Sequence, residues 1–393
     1  MTIDFMGEAQ ALRDELIARR RDLHRHPELA FQERRTAGVV AEELTSLGLE
    51  VQTGLGKTGV IGILEGAAAG PTVLYRADMD ALPIHEENSA DYVSRADGVM
   101  HACGHDGHTA VALGIAKLLA GHRDALGGRV KFVFQPAEEV GGGAAAMIAD
   151  GALESPAPDI SLGIHLWNDL EVGQVSVVPG PIMSGAGLFE ITVHGKGGHG
   201  AMPHQTADPV VCAAQLIVAL QSLVSRNVDP LDMVVLTIGI IQGGSARNII
   251  PPSVTFSGSY RLFREETRVL IKSRIREIAD GVAKAMGCRA EVNLGAGIGP
   301  VVNDAEVVRR ARDVFARYAD DVTVVAQPWM ASEDVGLLMA RNPSAYLLVG
   351  SANRARSLDF PHHHPRFDFD EDALPLSVGL MSAAIADYLQ ADA

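Results

Sequence analysis

The stretch LFEITVHG (residues 188–195) marks the point at which the pattern of the 393-residue chain changes. Apolar and polar side chains alternate along it, which is typical of a strand with one buried face. The segments that follow are predicted to be a helix over 208–226, the strands MVVLTIGII and VTFSGSYRL, a helix over 265–286 and the strand CRAEVNL. This order of strand, helix, strand, strand, helix and strand predicts a small α+β domain with the ferredoxin-like arrangement.

The sequence on either side of this segment alternates between short apolar strands and helices. The predicted strands are VIGIL (60–64), TVLYRA (72–77), RVKFVFQ (129–135), ISLGIHL (160–166) and SAYLLVG (344–350). The predicted helices cover 8–24, 34–48, 106–120, 143–150 and a final segment from about Ala373. Such alternation favours an α/β domain with a parallel or mixed sheet that is covered on both faces. We therefore predict one such domain over 1–185 and 298–393, interrupted by an inserted ferredoxin-like domain over 186–297.

Length, charge and cysteine content limit the classes of protein. A single core stops growing at about 250–300 residues, so 393 residues favour two domains. A formal net charge of -16 would repel phosphates, so we expect no nucleic-acid partner. The sequence has no signal-peptide core and no uninterrupted apolar run of about 18 residues, so we expect no membrane partner and a cytoplasmic location. Cys103, Cys212 and Cys288 are an odd, sparse set that indicates reduced thiols.

Residue types that bind metals concentrate in MHACGHDGHTA (100–110). If its backbone is extended, Cys103 and His105 point to the same side, and thiolate and imidazole both bind borderline-soft divalent metals. A single pair with this spacing is a weak signal, and His108 and Thr109 are expected to cap or pack in the following helix. A metal site, a reactive Cys103 thiol and a crowded helix start are therefore all open at this point.

Two glutamates follow the strand RVKFVFQ directly. In extended backbone, Glu138 and Glu139 would point to opposite sides, so that one could bind a metal while the other faced a bound water. A solvated acidic turn is the simpler alternative for this pair.

Other candidates also stand at strand ends. Asp78 and Asp80 follow TVLYRA, where an aspartate can orient a ligating imidazole. His165 ends ISLGIHL, where a hydrogen-bonded core histidine is the simpler alternative, and His363 lies in PHHHP, within the segment that returns to the first domain. Because ligand groups gather at the ends of strands in such sheets, we expect these side chains to converge on one edge.

Eight motifs together resemble the di-metal amidohydrolases that include hippurate hydrolase, bacterial N-acyl-amino-acid amidohydrolases and plant hydrolases of indole-acetyl amino acids. They are RRRDLHRHPEL, RADMDALPI, MHACGHDGHTA, QPAEE, GIHLW, GKGGHGAMPH, GGSARNIIP and HHHPRFDFDE, in order over nearly the whole chain. The resemblance implies hydrolysis of the amide bond of small-molecule N-acyl amino acids by metal-activated water. It also implies a homodimer or higher homo-oligomer, with the inserted domain as a lid and dimerisation domain. The alternative within hydrolases is a metallo-exopeptidase; a non-catalytic metal-binding protein and a thiol enzyme using Cys103 are the rivals from other classes.

The resemblance also implies a set of metal ligands. Cys103, His105, Glu139, His165 and His363 would hold two divalent ions, which could be manganese, zinc, cobalt or nickel, with Cys103 as the bridge. His364 stands where such enzymes usually carry a small polar residue. Among the three adjacent histidines, the spacing to Pro365 favours His363 over His362 and His364.

The remaining roles are implied in the same way. Glu138 would be the general base, and Asp80 the carboxylate that orients a ligand. His199 would stabilise the oxyanion, commonly across a dimer interface. Asn248 and Arg261 would bind the carboxylate of the substrate, a task that suits the paired donors of arginine. Val335 replaces a usual aromatic residue, which predicts a reshaped pocket.

Overall fold

The structure, a computed structural model, describes residues 3–318 and 322–389. It divides into two compact units. Unit 1 contains Met1–Ile182, Val302–Pro328 and Asp334–Ala393, and unit 2 contains Met183–Val301 and Trp329–Glu333. Unit 2 therefore extends slightly beyond the predicted insertion at both ends, and it includes a short returning segment that the sequence analysis had assigned to the first domain.

The secondary structure alternates as the sequence predicted. The strands are β1 (Glu50–Leu55), β2 (Gly59–Glu65), β3 (Ala68–Asp78), β4 (Gly127–Gln135), β5 (Ile160–Glu171), β6 (Gln174–Ser176), β7 (Gly180–Met183), β8 (Gly185–His194), β9 (Gly198–His199), β10 (Val234–Gly243), β11 (Ile249–Ile250), β12 (Ser253–Leu262), β13 (Arg289–Leu294), β14 (Val301–Asn303), β15 (Thr323–Val325) and β16 (Ser344–Ala352). The helices are α1 (Phe5–Ala11), α2 (Arg13–Arg25), α3 (Arg34–Ser46), α4 (His105–Gly121), α5 (Gly143–Ala149), α6 (Pro209–Asn227), α7 (Glu265–Ala285), α8 (Ala305–Phe315), α9 (Val335–Met339) and α10 (Ala373–Leu389). The helix predicted over 8–24 is divided at Leu12 into α1 and α2.

Unit 1 is built on an eight-stranded mixed sheet in the order β1-β2-β4-β3-β5-β16-β6-β15. Its central strands β4, β3, β5 and β16 run parallel, whereas β1 and β2 add an antiparallel edge. One face packs on the core that includes α4 and α10, and the other packs on a smaller core with α5 and α9. Side chains of β2 alternate between the two cores, with Val60 in the first and Ile61 in the second. The predicted α/β domain with both sheet faces covered is confirmed.

Unit 2 contains a four-stranded antiparallel sheet in the order β10-β12-β8-β13, the ferredoxin-like order. The alternation in LFEITVHG buries Phe189, Ile191 and Val193 against α6 and α7. Helix α6 is long enough and apolar enough to cross a membrane, judged by length and composition alone. Its Cys212 and Leu216 are buried in the core of unit 2, whereas Val210, Val211 and Val218 are exposed, so packing within the unit accounts for only part of its apolar composition.

A buried ion cluster ties the N-terminal helices of unit 1 to distant segments. The guanidinium of Arg20 on α2 is fully buried and contacts Asp106 at 2.8 Å, Asp368 at 2.8 Å and Glu371 at 3.4 Å. Because these three carboxylates come from α4 and from the segment before α10, one arginine stabilises three parts of the chain at once.

Replacing Arg20 by methionine is expected to lower the free energy of unfolding by about 3–5 kcal/mol, because it leaves buried carboxylates without their counter-ion. The matched control is Arg13→Met, which removes an ion pair with Asp372 whose side chains are 36% and 52% exposed. That change should cost less than about 1 kcal/mol. Urea unfolding of both variants in one buffer measures the difference, and equal losses would contradict the structural role of Arg20.

Candidate metal centre

The register of three parallel strands sets the position of the site. Asp78 at the end of β3 pairs with Gln135 at the end of β4. Arg76 of β3 pairs with Gly163 of β5, which places Asp78 level with His165 two residues further along. The segments that follow β3 and β4 therefore begin at the same edge of the sheet as His165.

Cys103 and His105 lie on either side of a glycine that turns the chain into a helix. Gly104 has a φ of +87°, a conformation that favours glycine, and His105 is the first residue of α4. The extended backbone predicted for this pair is therefore wrong. The turn nevertheless brings the Cys103 sulfur and ring nitrogens of His105 and His165 within 4.8 Å of one another.

Glu138 and Glu139 also lie on a turn, so the extended backbone predicted for them is wrong as well. The turn begins at Ala137, whose φ of 53° is left-handed. The carboxylate of Asp80 accepts the Glu138 N–H at 3.0 Å and the Glu139 N–H at 3.1 Å. Donor atoms of both glutamates then lie within 4.8 Å of a His105 nitrogen and of each other.

Of the three adjacent histidines, the structure brings His363 to this cluster. Its N–H donates to the Ala102 carbonyl at 2.8 Å, next to Cys103 in the chain. Its Nε2 lies 3.4 Å from Glu139 Oε2, and Cys103, Glu139 and His363 form a second group of donors within 4.8 Å. Cys103 is thus common to two groups of possible ligands.

The neighbouring histidines have other contacts. His362 Nε2 accepts the Asn168 N–H at 3.2 Å, and its ring packs on Trp167. His364 Nδ1 accepts the Arg366 N–H at 3.0 Å, and its ring stacks on Phe360. The structure therefore favours the preference for His363 that the spacing to Pro365 suggested.

Hydrogen bonds fix which ring nitrogens are available to bind a metal. His165 Nδ1 donates to the Leu166 carbonyl at 2.7 Å, and His105 Nδ1 donates to the Asp80 carbonyl at 2.8 Å. In its neutral form each ring would then present the lone pair of Nε2, the tautomer that a histidine ligand needs. Asp80 thus orients His105 mainly through the main-chain oxygen of Asp80. The Asp80 carboxylate lies 3.3 Å from the same Nδ1 and accepts the N–H groups of the turn with Glu138 and Glu139.

The electrostatic environment suits a cation. His105 Nε2 and Glu139 Oε1 are buried and have no hydrogen-bond partner among the described residues. Burial lowers the pKa of His105, but the carboxylates of Asp78 and Asp80 outweigh this and raise it to about 10. Burial and the carboxylates of Glu139 and Glu138 raise the pKa of the Cys103 thiol. Nitrogen, oxygen and sulfur donors gathered in acidic surroundings fit a divalent transition metal.

Arg76, a residue not predicted from the sequence, binds two of the side chains beneath the site. It is buried and donates to Asp78 at 2.7 Å and to Gln135 at 2.9 Å. Asp78 also contacts His108 Nδ1 at 2.6 Å, and His108 Nε2 accepts the Leu166 N–H. His108 therefore has both nitrogens in hydrogen bonds and packs beneath the site, as expected.

The other predicted residues lie in unit 2, except for Val335. His199 of β9 pairs with Ile249 of β11, directly after Asn248, so these two candidates are neighbours. Arg261 lies on β12, where its guanidinium donates to the hydroxyl of Ser332. Val335 is fully buried at the start of α9 in unit 1, so its side chain lines no open surface.

Comparisons with known proteins place the chain among metal-dependent hydrolases. The sequence pattern of peptidase family M20/M25/M40 matches residues 74–387. N-acetyl-L-cysteine deacetylase of Bacillus subtilis is 39% identical over 92% of this chain and 85% of its own length. IAA-amino acid hydrolase ILR1-like 4 of Arabidopsis thaliana is 39% identical over 96% of this chain and 86% of its own length.

A solved structure agrees with these sequence relatives. The YXEP protein of Bacillus subtilis, described as a dinuclear metal binding peptidase from the M20 family, superposes with a TM-score of 0.85. It is 34% identical, and the match covers 97% of this chain and 99% of that one. The resemblance to di-metal amidohydrolases and the predicted fold class are confirmed, and the chain belongs to the peptidase family M20/M25/M40.

Proposed function

We propose that the protein hydrolyses the amide bond of N-acyl amino acids, giving a carboxylic acid and a free amino acid. The observation that carries this proposal is a cluster of nitrogen, oxygen and sulfur donors, with Cys103, His105 and His165 buried and a second glutamate, Glu138, on the same turn as Glu139. The two relatives named for N-acetyl-L-cysteine and for IAA-amino acids favour an acylated amino acid as the substrate.

The proposed cofactor is a pair of divalent ions. Cys103 belongs to both donor groups; His105 and His165 would complete one set of ligands, and Glu139 and His363 would complete the other. Manganese, zinc, cobalt and nickel all suit this mixture of donors, which does not select among them.

The proposed mechanism gives each residue one task. When bound, the two metals would supply Lewis acidity toward the scissile carbonyl and would lower the pKa of a water molecule toward neutrality. Glu138 would accept the proton of the attacking water as the new C–O bond forms, and would then deliver it to the nitrogen of the leaving amine as the C–N bond breaks. Asp80 holds the backbone of both glutamates while these proton transfers occur.

His199 is the proposed oxyanion donor. Its Nδ1 accepts the Ala201 N–H at 3.1 Å, so Nε2 carries the ring proton and is able to donate to a developing negative charge. Asn248 and Arg261 are proposed to bind the substrate carboxylate, since an amide and a guanidinium both supply donors.

We propose a homodimer formed through unit 2. Strand β10 is an edge of its sheet, and Val235, Ile240 and Ile241 along it are 43%, 54% and 60% exposed. The other edge, β13, exposes polar side chains such as Arg289 and Glu291. Because an exposed apolar edge strand is a template for pairing, a second copy of β10 is the proposed partner of this one.

Cytoplasmic action is proposed as well, which agrees with three free cysteines.

The other classes of protein considered agree less well with the site than a metal-dependent amidohydrolase does. Burial and carboxylates raise the pKa of Cys103, which opposes a role as a metal-free nucleophile. A non-catalytic metal protein has no need of Glu138. A metallo-exopeptidase on the same fold is the second candidate, which the description of the YXEP protein as a peptidase favours.

Chelation is expected to abolish activity, and manganese, zinc, cobalt or nickel should restore it at two ions per chain. Cobalt(II) should also show the thiolate charge-transfer absorption in the wild type and in Cys288→Ser, because only Cys103 is a proposed ligand. Cys103→Ser should lose this band. His363→Ala should lower the bound metal by elemental analysis, whereas His364→Ala should not. A thiolate band that survives in Cys103→Ser would contradict the ligand assignment.

Metal-loaded wild-type protein is expected to cleave an N-acetyl, N-benzoyl or N-indoleacetyl amino acid faster than a dipeptide in parallel assays. Glu138→Gln should keep the fold and the metals but lower kcat by about a hundredfold to ten-thousandfold, since its proton transfers are lost. Glu65→Gln, at the surface pair with Arg129, is the control. A Glu138→Gln variant that retains more than about a tenth of wild-type turnover would overturn its role as the base, and faster dipeptide cleavage would favour the exopeptidase.

Two inactive variants should complement each other if His199 acts across the dimer. In a mixture of His199→Ala and Glu138→Gln subunits, one site of each mixed dimer has both residues intact. After the subunits exchange, random pairing predicts recovery of about a quarter of wild-type activity. Activity that stays at the level of the separate variants, with mixed dimers shown by native mass spectrometry, would place His199 in its own subunit's site or outside catalysis.

A further inference from the structure

The turn that carries Glu138 and Glu139 has a backbone that needs support. Ala137 has a φ of 53°, in the left-handed region, where its Cβ comes too close to the following carbonyl oxygen. The turn is also tight, because a Cβ on Gly143 would lie 1.5 Å from the Pro136 carbonyl oxygen. Without outside contacts, an alanine at this position would return to a right-handed or extended conformation.

Two carboxylates hold three successive N–H groups of this turn. Asp80 accepts those of Glu138 and Glu139, as described above. The third, from Ala137 itself, donates at 2.9 Å to Glu33 Oε1. Glu33 lies 104 positions earlier in the chain, at the residue that precedes α3.

Glu33 is fully buried, and its carboxylate is held by hydrogen bonds. Its Oε1 also accepts the Phe31 N–H at 2.9 Å, and its Oε2 accepts the Thr58 hydroxyl at 2.5 Å. Burial raises the pKa of Glu33, and the hydrogen bonds from Thr58 and Ala137 oppose that rise only in part. Over the described parts of the chain, no lysine, arginine or histidine forms an ion pair with it. A carboxylate buried without a counter-ion is costly, so its hydrogen bonds must compensate.

We propose that Glu33 is a positioning residue for the reaction: it fixes the left-handed turn at Ala137 and thereby sets where the Glu138 and Glu139 side chains begin. The proposal rests on the proposed function, in which Glu138 is the base and Glu139 a ligand. Glu33 acts only through the backbone of the turn. A misplacement of about 1 Å in a reacting group is able to cost about a hundredfold in rate, so loss of this contact has a measurable effect.

Glu33→Ala, assayed as the metal-loaded enzyme, is expected to lower kcat by about tenfold to a hundredfold with a smaller change in KM and unchanged metal content. In Glu33→Gln, the amide oxygen still accepts the Phe31 and Ala137 N–H groups. The new NH2 group faces Thr58 and donates to its hydroxyl, which reverses the direction of that hydrogen bond. This variant should stay within about threefold of wild type. Glu33→Asp keeps the charge but withdraws the carboxylate by about 1.5 Å, so it should resemble Glu33→Ala.

Glu28→Ala is the matched control. The Glu28 carboxylate caps the same helix α3 through the N–H groups of Arg35 at 2.9 Å and Thr36 at 2.8 Å, and it makes no hydrogen bond to the glutamate turn. The variant should lose thermal stability but keep kcat. If Glu28→Ala loses as much activity as Glu33→Ala, or if Glu33→Asp is active where Glu33→Gln is not, Glu33 acts through general stability or through its charge, and the proposal is overturned.

Hydrogen–deuterium exchange provides a readout that does not depend on catalysis. In Glu33→Ala and Glu33→Asp, peptides that cover 136–143 should exchange faster than in wild type, while in Glu28→Ala they should not, because the turn has lost an anchor only in the first two. Unchanged exchange and unchanged kcat in both Glu33 variants would overturn the proposal. If Glu33→Ala does not fold, the pair Glu33→Asp and Glu33→Gln decides the question. Glu138→Gln is assayed in parallel. If it remains active, the assignment of Glu138 as the base is wrong, while the exchange data still test whether Glu33 holds the turn at Ala137.

Discussion

The parallel register of β4, β3 and β5 is the constraint on which the rest of the site depends. It places Gln135, Asp78 and His165 at one level, so the chain leaves β3 and β4 beside the histidine of β5. A slip of one residue would turn every side chain of a strand to its other face and would separate these groups. Arg76 strengthens the register, because its guanidinium joins Asp78 to Gln135 across neighbouring strands while both are buried.

The same arrangement concentrates negative charge around His105, which favours the binding of a cation. Asp78, Asp80 and the two glutamates surround His105, whose pKa is raised to about 10. In the absence of a metal, a proton on His105 offsets part of that charge. A divalent ion would displace the proton and satisfy the buried Nε2 atom, so metal binding and stability are coupled.

The sequence was informative about residue types and elements, and less so about backbone conformation. Periodicity located the central strands and the ferredoxin-like order, because both depend on which face is buried. The three-residue strands β6 and β15 were missed, since pairing rather than local pattern defines them. The extended backbone wrongly predicted for Glu138 and Glu139 has a related cause, the left-handed turn at Ala137. No local signal predicts a left-handed alanine, whereas Gly104 was at least a residue type that favours that conformation.

The turn at Ala137 changes what the two adjacent glutamates are able to do. On an extended strand, Glu138 and Glu139 would point to opposite faces, and only one would reach the donors of the site. On the turn, both carboxylates come within 4.8 Å of the same His105 nitrogen. A base must lie close to the water that the metals activate, and a ligand must touch the metal, so both tasks require this convergence. The left-handed backbone at Ala137 is therefore a consequence of placing two neighbouring side chains in one site. The N–H groups of this turn are accordingly held by the carboxylates of two distant segments, Glu33 and Asp80.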